Sequence, residues 1–506
     1  MLIEIDRKAS TPVYLQIKEQ IISLIKSGML SPGEELPSSR RLATELGVSR
    51  KTILQSYLEL SAEGWISSVP GSKTVVSSVL PGEEIHKVKP VWQEVEKAPK
   101  LPKKADMNWE RYFFNGENFA IPRYYEKWDG PEPYISFAKA LPDPKQFPFG
   151  RIKKIVSQLL WNPKGFFFDR GHPQGYQPLV EYLEHTLARD KIDMRPGVNE
   201  IVICSGFQVA LNLLLTLVIR YGETVYVENP TYASILNALI ARGIPHVGIP
   251  VEQDGMDIDF LEKRLKKDRA KAGAVITVPT LQNPTGTLMS RQKREALIYL
   301  AQRYELPIIE DAYAFFMRLE TERPPTLKAF DAGGHVFLVG SFSKSFLPGL
   351  RIGFICTPGK VATSLVKLKR ALDQSDSFFL QTILLEFIEK GFMDLHLRKM
   401  ARIYRERMEV MAGALEENFP KDFRWQKPYG GLSIWVEMPR TMRSKPLLEY
   451  TVKKGVDFAP ASLFFVGKKD SNHLRLAFSQ VSQDEIREGI KRLGYAIRTF
   501  RKDVGR

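Results

Sequence analysis

The sequence predicts an α/β protein with three parts along the chain: a small helical head, an extended connector, and a large body with a mainly parallel sheet. Residues 1–78 are dense in helix and turn signals, whereas residues 79–133 are rich in proline, lysine and glutamate, the composition of a semi-stiff linker. Residues 134–506 alternate short apolar runs with longer amphipathic stretches, which is typical of strands joined by helices.

The composition excludes several classes of protein. Hydrophobic residues make up 43% of the 506 positions and charged residues 26%, which suits a globular chain with a large core and not a disordered one. Two cysteines are too few for a disulfide framework, so we expect a reducing, cytoplasmic setting. We recognise no apolar run of membrane-spanning length and no secretory leader, and we predict no metal site.

The net charge of +15 favours association with a polyanion. Residues 1–80 contribute nine basic and eight acidic side chains, a net of only +1, so most of the excess lies in the remainder of the chain. This excess can add nonspecific attraction to nucleic-acid phosphates, or it can simply belong to solvated helix faces.

The head is predicted to contain three helices followed by a hairpin. Apolar residues recur at helical spacing within residues 14–25, 42–46 and 53–60. Gly47 allows a tight turn between the second and third helices, and Ser49 can cap the third. Two short extended pieces follow, with Pro70 and Gly71 at the tip between them.

The first turn of the third helix points to DNA. Arg50, Lys51 and Thr52 occupy this turn, where a recognition helix directs side chains at base edges in the major groove. Arginine can bond guanine with two hydrogen bonds, and Arg40 could reach the backbone from the preceding helix. The alternative is a small protein-binding module with an exposed charged turn.

The run LPSSRRLATELGVSRKTILQSYLELSAEGWI closely resembles the winged helix-turn-helix of GntR-type bacterial regulators, and the resemblance extends over about residues 10–77. It implies that operator DNA is contacted by Arg40, Arg50, Lys51, Thr52 and the wing tip near Gly71. Leu54 stands where some relatives have a further DNA-contacting arginine, and GSKTVV replaces a glycine-rich tip. The resemblance therefore does not imply an operator sequence.

Six strands are predicted in the body from short apolar runs: Glu200–Cys204, Thr224–Glu228, Ala274–Val278, Pro307–Glu310, Val336–Gly340 and Gly353–Thr357. Lys344 follows one of them in SFSKSFLPGLRIGF. A buried lysine with a lowered pKa can form a Schiff base with a carbonyl compound. Ser341 and Arg351 in the same run would suit a phosphate, although a lysine at a strand end is more often structural.

Two further runs place polar residues after predicted strands. Asp311 ends the strand-like start of PIIEDAYAFF, and Tyr313 follows two residues later. A buried carboxylate there would keep a pyridine nitrogen protonated, although it could simply cap a helix. Asn283 precedes Pro284 in a turn and could bond a phenolate oxygen together with Tyr313, or it could belong to an ordinary Asn-Pro turn.

Three more features fit a flat, charged ligand. Gly206, Phe207 and Gln208 begin a helix directly after a strand, and such a start holds phosphate through its N–H groups. Tyr232 follows another strand and could stack on a ring. Arg475 lies within a short apolar strand, where its charge calls for an anionic partner such as a substrate carboxylate.

Together these residues resemble the fold-type I aminotransferases over about residues 134–500, in the same order along the chain. The resemblance implies pyridoxal 5′-phosphate bound covalently to Lys344, with Asp311 at the pyridine nitrogen and Arg475 at the carboxylate of an amino-acid ligand. It places Asn283 and Tyr313 at the phenolic oxygen and Tyr232 against the ring. It assigns the phosphate to Gly206, Phe207, Gln208, Ser341 and Arg351. Arg170 departs from a tyrosine that relatives often carry.

The combination of head, connector and body resembles the MocR/GabR group of regulators across nearly the whole chain. The resemblance implies a homodimer that binds operator DNA and senses an amine or amino acid through an external aldimine. Two alternatives remain open. The chain could be an active aminotransferase with an accessory DNA-binding head, or a regulator of vitamin B6 synthesis that senses pyridoxal phosphate itself.

Overall fold

A computed structural model describes residues 3–7, 9–68, 73–81, 133–161, 171–317, 322–468 and 471–504. The chain divides into two compact units, Met1–Arg111 and Tyr112–Arg506. The predicted connector, residues 79–133, lies largely outside the described residues, so its extended character stays a prediction. No helix in the described part of the chain is long and apolar enough to cross a membrane.

The first unit contains three helices and a hairpin, as predicted: α1 Val13–Lys26, α2 Ser39–Leu46, α3 Arg50–Ala62, β1 Ile66–Ser68 and β2 Thr74–Val76. The predicted stop at Gly47 has a left-handed φ of 64°. Ser38 caps α2 and Ser49 caps α3, each accepting a hydrogen bond from a backbone N–H in the first turn. A small core around Ile17 and Ile53, both fully buried, holds the helices together.

The body is built on an eight-stranded sheet in the order β4-β11-β10-β9-β8-β5-β6-β7. Its neighbouring central strands β10, β9, β8, β5 and β6 all pair in parallel, whereas β11 pairs antiparallel with both β10 and β4. The strands are β4 Asn199–Cys204, β5 Thr224–Asn229, β6 His246–Glu252, β7 Gly255–Met256, β8 Ala272–Thr277, β9 Ile308–Ala312, β10 Val336–Ser341 and β11 Gly353–Pro358. All six predicted strands are therefore confirmed.

Helices pack against this sheet through clusters of buried apolar side chains. They are α4 Phe149–Trp161, α5 Gln177–Arg189, α6 Phe207–Val218, α7 Ala233–Ala241, α8 Ile258–Asp268, α9 Arg291–Tyr304, α10 Gly359–Leu372 and α11 Phe378–Glu389. A mainly parallel sheet covered in this way is the α/β architecture that the sequence predicts.

A second, five-stranded sheet has the order β12-β13-β15-β14-β3. Its strands are β3 Ile135–Phe137, β12 Arg424–Trp425, β13 Ser433–Glu437, β14 Val456–Pro460 and β15 His473–Ala477, and its helices are α12 Phe392–Asn418, α13 Ser444–Val452 and α14 Gln483–Val504. Strand β3, from the start of the body, pairs in parallel with β14, so that Ile135 lies opposite Val456. Residues near the beginning of the described part of the second unit are thereby paired with residues in its last third.

Gly494 permits the close crossing of α14 over α12. A Cβ atom at this position would lie 2.4 Å from the backbone oxygen of Asn418, which cannot move without shifting the helix. We expect Gly494→Ala to lower the free energy of unfolding by about 1–3 kcal/mol, measured as a lower thermal midpoint of the full-length protein.

Gly413, within α12, provides the control. A Cβ atom there would have no neighbour within 4 Å, so Gly413→Ala should leave stability unchanged or raise it by up to about 1 kcal/mol through helix propensity. Equal effects of the two substitutions would contradict the close approach.

Candidate functional site

The carboxyl ends of β8, β9 and β10 bring the predicted cofactor residues to one edge of the large sheet. Asp311 lies in β9, Ser341 ends β10, and Lys344 follows three residues later. Asn283 lies in the loop after β8, and Gly206 lies in the loop between β4 and α6. In open α/β sheets, this edge is where ligands bind.

The amine of Lys344 is buried and held by the backbone. Its Nζ donates a hydrogen bond to the Ala140 oxygen over 2.7 Å. The pKa of Lys344 is lowered to about 8, chiefly by burial and then by the positive charge of Arg475, while Asp311 acts in the opposite direction. A substantial fraction of this amine is therefore neutral near pH 8, as a nucleophilic lysine must be.

Asp311 is a buried carboxyl group, with only 2% of its surface exposed. Its Oδ1 accepts a hydrogen bond of 3.0 Å from the backbone N–H of Tyr313. Burial raises the pKa of Asp311 to about 7, against the lowering effect of that hydrogen bond. Within the described residues no ion pair involves Asp311, so a cationic ring nitrogen would supply the partner that its ionised form requires.

Tyr313 follows β9 and Asn283 follows β8, and each already has a protein partner. The Tyr313 hydroxyl donates to the Leu281 oxygen over 2.6 Å, and burial raises the pKa of Tyr313. The Asn283 Oδ1 accepts from a guanidinium N–H of Arg475 over 3.0 Å. A small cavity lined by Asn283, Tyr313 and Lys344 joins the three predicted residues.

Arg475 is brought to the same place from the second sheet. It lies in β15 opposite Trp435, and only 7% of its surface is exposed. One guanidinium N–H donates to the Ala138 oxygen over 2.8 Å and another to Asn283, while the group packs over the Phe464 ring. The predicted carboxylate-binding residue therefore lies beside the predicted cofactor residues.

The start of α6, the predicted phosphate cradle, shows a close approach between backbone and side chain. Gly206 has a φ of +81°, and a Cβ atom there would lie 2.8 Å from a guanidinium nitrogen of Arg351. The same nitrogen donates to the Ser205 oxygen over 3.2 Å. Ser341 is buried, and its hydroxyl accepts from the backbone N–H of Ser343 over 3.1 Å. Glycine, arginine and backbone N–H groups thus meet where an anion fits.

The remaining residues predicted to stack on the ring or to bind the phosphate make different side-chain contacts. The ring centroids of Phe207 and Tyr232 are 6.1 Å apart, so Tyr232 lies beside the first residue of α6. Gln208 turns its amide to the Ser234 oxygen, 3.4 Å away. The Gln208 side chain is therefore engaged, and only its backbone N–H could contribute to a phosphate site at the start of α6. Arg170, the predicted departure from related sequences, lies outside the described residues.

Sequence reasoning missed Glu228, a fully buried residue close to the site. Its carboxylate accepts hydrogen bonds from the Thr277 hydroxyl, the Val278 N–H and the Gln282 amide, and burial raises its pKa. Gln282 also donates to the Pro230 oxygen over 2.7 Å. The signal was an acidic residue at the end of an apolar strand, in VYVENP.

A second missed group contacts the predicted phosphate cradle through Ser205. The Ser205 hydroxyl donates to Asp376, and the fully buried Lys369 lies 2.7 Å from the other carboxylate oxygen of Asp376. Neither charged residue stands in a recognisable motif, because Lys369 lies in the last turn of α10 and Asp376 lies in the loop after it.

The predicted DNA-contacting residues form an exposed patch at the starts of α2 and α3. Arg40, Arg50 and Lys51 are exposed, and Thr52 is half-buried. The Arg50 Nε donates to the Ser39 hydroxyl over 3.4 Å, which links the first turns of the two helices. The predicted wing-tip residue Gly71 lies outside the described residues.

Comparison with known proteins finds two families, each of which matches a different part of the chain. Residues 13–76 match the family "Bacterial regulatory proteins, gntR family", and residues 170–493 match "Aminotransferase class I and II". The regulator TauR of Rhodobacter capsulatus is 30% identical over 490 residues, which cover 96% of each chain. The chain belongs to the MocR/GabR group of regulators. The probable rhizopine catabolism regulatory protein MocR of Rhizobium meliloti is 27% identical over 496 residues, covering 97% of this chain and 95% of its own.

The body is also similar to solved aminotransferases. The crystal structure of kynurenine aminotransferase from Pyrococcus horikoshii, in complex with PMP, superposes with a TM-score of 0.70 at 32% identity. It covers 78% of this chain and 98% of its own. This MocR-type protein is thus a DNA-binding transcription regulator whose body has the fold-type I aminotransferase architecture and takes pyridoxal 5′-phosphate as cofactor.

The rate at which the cofactor-free protein captures pyridoxal phosphate should rise with pH and level off above about pH 8, because only the neutral Lys344 amine is nucleophilic. Stopped-flow absorbance of the bound cofactor measures this rate. Arg475→Gln removes a charge that lowers the pKa of Lys344, so its midpoint should move to higher pH. Arg475→Lys keeps the charge and should behave like the parent protein, and identical midpoints in both variants would contradict the electrostatic account.

Proposed function

We propose that this regulator senses an amine or amino acid at Lys344 and reports it through operator binding. The observation that carries the proposal is the buried Lys344 amine, with a pKa lowered to about 8, in a chain that also carries a DNA-binding head. When bound, pyridoxal phosphate supplies an aldehyde that reacts with amines and a ring that withdraws electrons. The effector and Lys344 therefore compete for one reactive carbon.

We assign the residues of this site the following roles. Lys344 would hold the cofactor, Asp311 would pair with its ring nitrogen, and Arg475 would bind an effector carboxylate. Tyr313 and Asn283 would hydrogen-bond the phenolic oxygen, while Tyr232 would lie against the ring. The phosphate would be held by Gly206, Phe207, Gln208, Ser341 and Arg351. The buried carboxyl of Asp311, which forms no ion pair within the described residues, and the convergence of Gly206 with Arg351 support these assignments.

Effector binding changes the partners of two buried cations. Lys344 now donates to Ala140, and Arg475 donates to Ala138 and Asn283. An effector amine would release Lys344 from the cofactor, and an effector carboxylate would draw Arg475 from its present acceptors. A ligand shifts an equilibrium only through different affinities for two states, and these exchanged contacts provide that difference.

We also propose a cytoplasmic homodimer that binds double-stranded operator DNA through two heads. In this proposal the DNA-binding head spans residues 1–78, the linker residues 79–133 and the aminotransferase-like body residues 134–506. Leu160 and Trp161, at the end of α4, are 57% and 91% exposed, and they supply apolar surface that a second copy could cover. Two heads would read two half-sites at a fixed spacing.

Replacement of Lys344 tests the sensing mechanism. In Lys344→Ala, the visible absorption of the covalently held cofactor should disappear, and a panel of amines should no longer alter operator binding. Lys360→Ala, at an exposed lysine of α10, should retain both properties. Gel-shift titration with and without each amine measures the response, and a full response in Lys344→Ala would contradict the proposal.

Replacement of Arg50 tests the DNA-binding surface. Arg50→Ala should weaken operator binding by about 1–3 kcal/mol, roughly 5- to 150-fold, because it removes a side chain placed to bond a base edge. The operator can be recovered by selection from random duplexes with the parent protein. Lys26→Ala, an exposed basic residue at the end of α1, should bind almost normally. Equal losses in both variants would indicate general charge attraction instead.

A second candidate function is an active aminotransferase with an accessory DNA-binding head. It is favoured by the presence of every residue named for the site and by the 32% identity to kynurenine aminotransferase. Incubation with pairs of amino acids and keto acids distinguishes the two functions. Sensing alone predicts at most one turnover per subunit, whereas an enzyme predicts many.

A further inference from the structure

A second cavity reaches Lys344 from the side of helix α12. It shares Lys344, Gly430 and Gly431 with the small cavity that contains Asn283 and Tyr313. We call it the α12 cavity and define its apolar wall by Met317, Leu397, Met400, Met408 and Phe478. The two cavities therefore meet at the amine where an effector would bind.

One face of α12 supplies much of this wall. The lining residues His396, Met400, Tyr404 and Met408 recur every four positions, so they project from the same side of the helix. All four are buried, with exposed fractions of 8% or less. Because methionine side chains are flexible and polarisable, such a wall adapts to apolar groups of different shape.

The wall offers no counter-ion to a cationic side chain. Its described residues include no carboxylate, and the cations that line it are Lys344, where the effector amine is proposed to lie, and the exposed Arg405. Burial lowers the pKa of His396 to about 4, so its ring is neutral near pH 7 and packs against Phe147 and Phe346. A cationic side chain in this cavity would lose its hydration without gaining a counter-ion.

His396 adds one specific polar contact. Only 5% of its surface is exposed. Within the described residues, its Nε2 has no hydrogen-bond partner. Buried polar atoms in proteins are nearly always hydrogen-bonded. An unsatisfied ring nitrogen in an apolar wall therefore marks a place where a ligand can contribute a neutral polar atom.

We propose that the α12 cavity receives the side chain of the effector, and that the effector is consequently an amine or amino acid with a hydrophobic side chain. This inference rests on the proposed sensing at Lys344 and specifies its ligand class. The effector amine lies at Lys344, its carboxylate at Arg475, and its side chain against Met400 and Met408.

Titration of the full-length protein, loaded with pyridoxal phosphate, tests the ligand class. L-leucine, L-phenylalanine, L-alanine and L-glutamate are compared by the change in cofactor absorption. Burial of a hydrophobic side chain should make the apparent Kd of leucine or phenylalanine about 10- to 100-fold lower than that of alanine. Binding of alanine or glutamate as tightly as leucine would overturn the inference.

A cavity-filling variant tests the location. Met400→Trp should remove most of the preference for leucine over alanine while alanine still binds, and Leu395→Trp, at a half-exposed position on the same helix, should preserve that preference. Equal weakening of leucine and alanine by Met400→Trp would place the side chain elsewhere. Should Met400→Trp fail to fold, Met408→Ala enlarges the cavity and should shift the preference from leucine towards phenylalanine; an unchanged preference would count against the cavity.

The two proposals fail in different ways. If none of the four amino acids and no member of the wider amine panel alters cofactor absorption or operator binding, sensing at Lys344 is wrong, and this inference falls with it. If alanine or glutamate gives the strongest response, sensing stands and the hydrophobic ligand class is wrong.

Discussion

A buried lysine amine imposes the main constraint on the body of this protein. A charged ammonium inside a core is costly, and the fold lowers the pKa of Lys344 to about 8 while giving its Nζ one backbone acceptor. Asp311 lies near the end of the neighbouring strand, and burial has the opposite effect on this carboxyl group, raising its pKa to about 7. The two groups acquire complementary reactivity because parallel strands deliver both to one sheltered edge.

The loop before α6, to which we assign the phosphate, depends on backbone geometry as well as on side-chain charge. Gly206 has a φ of +81°, which favours glycine, and its backbone lies close to the guanidinium of Arg351. Behind it, the Ser205 hydroxyl is fixed by Asp376, and Asp376 is fixed by the buried Lys369. A mobile loop could not keep N–H groups aimed at an anion, so this buried ion pair serves to position the cradle.

Local patterns in the sequence predicted six of the eight strands of the large sheet to within two residues at each end, because buried parallel strands leave continuous apolar runs. The strands β6 and β7 were not predicted. The same patterns singled out Lys344, Asp311 and Arg475, which the fold brings within electrostatic reach of one another. They could not predict the pairing of β3 with β14 or the carbonyls of Ala138 and Ala140, since backbone acceptors carry no side-chain signal. Long-range pairing is set by the tertiary fold, and no local period reports it.

The segment after β3 is tethered at two points by the reactive site. Its carbonyls at Ala138 and Ala140 accept hydrogen bonds from Arg475 and Lys344 respectively, and this segment is among the first described residues of the second unit. If an effector exchanges the partners of these two side chains, as proposed, the segment after β3 loses or regains two of its hydrogen bonds. A reaction at the Lys344 nitrogen would then act directly on a backbone segment that lies early in the second unit, without any change in the pairing of the eight-stranded sheet.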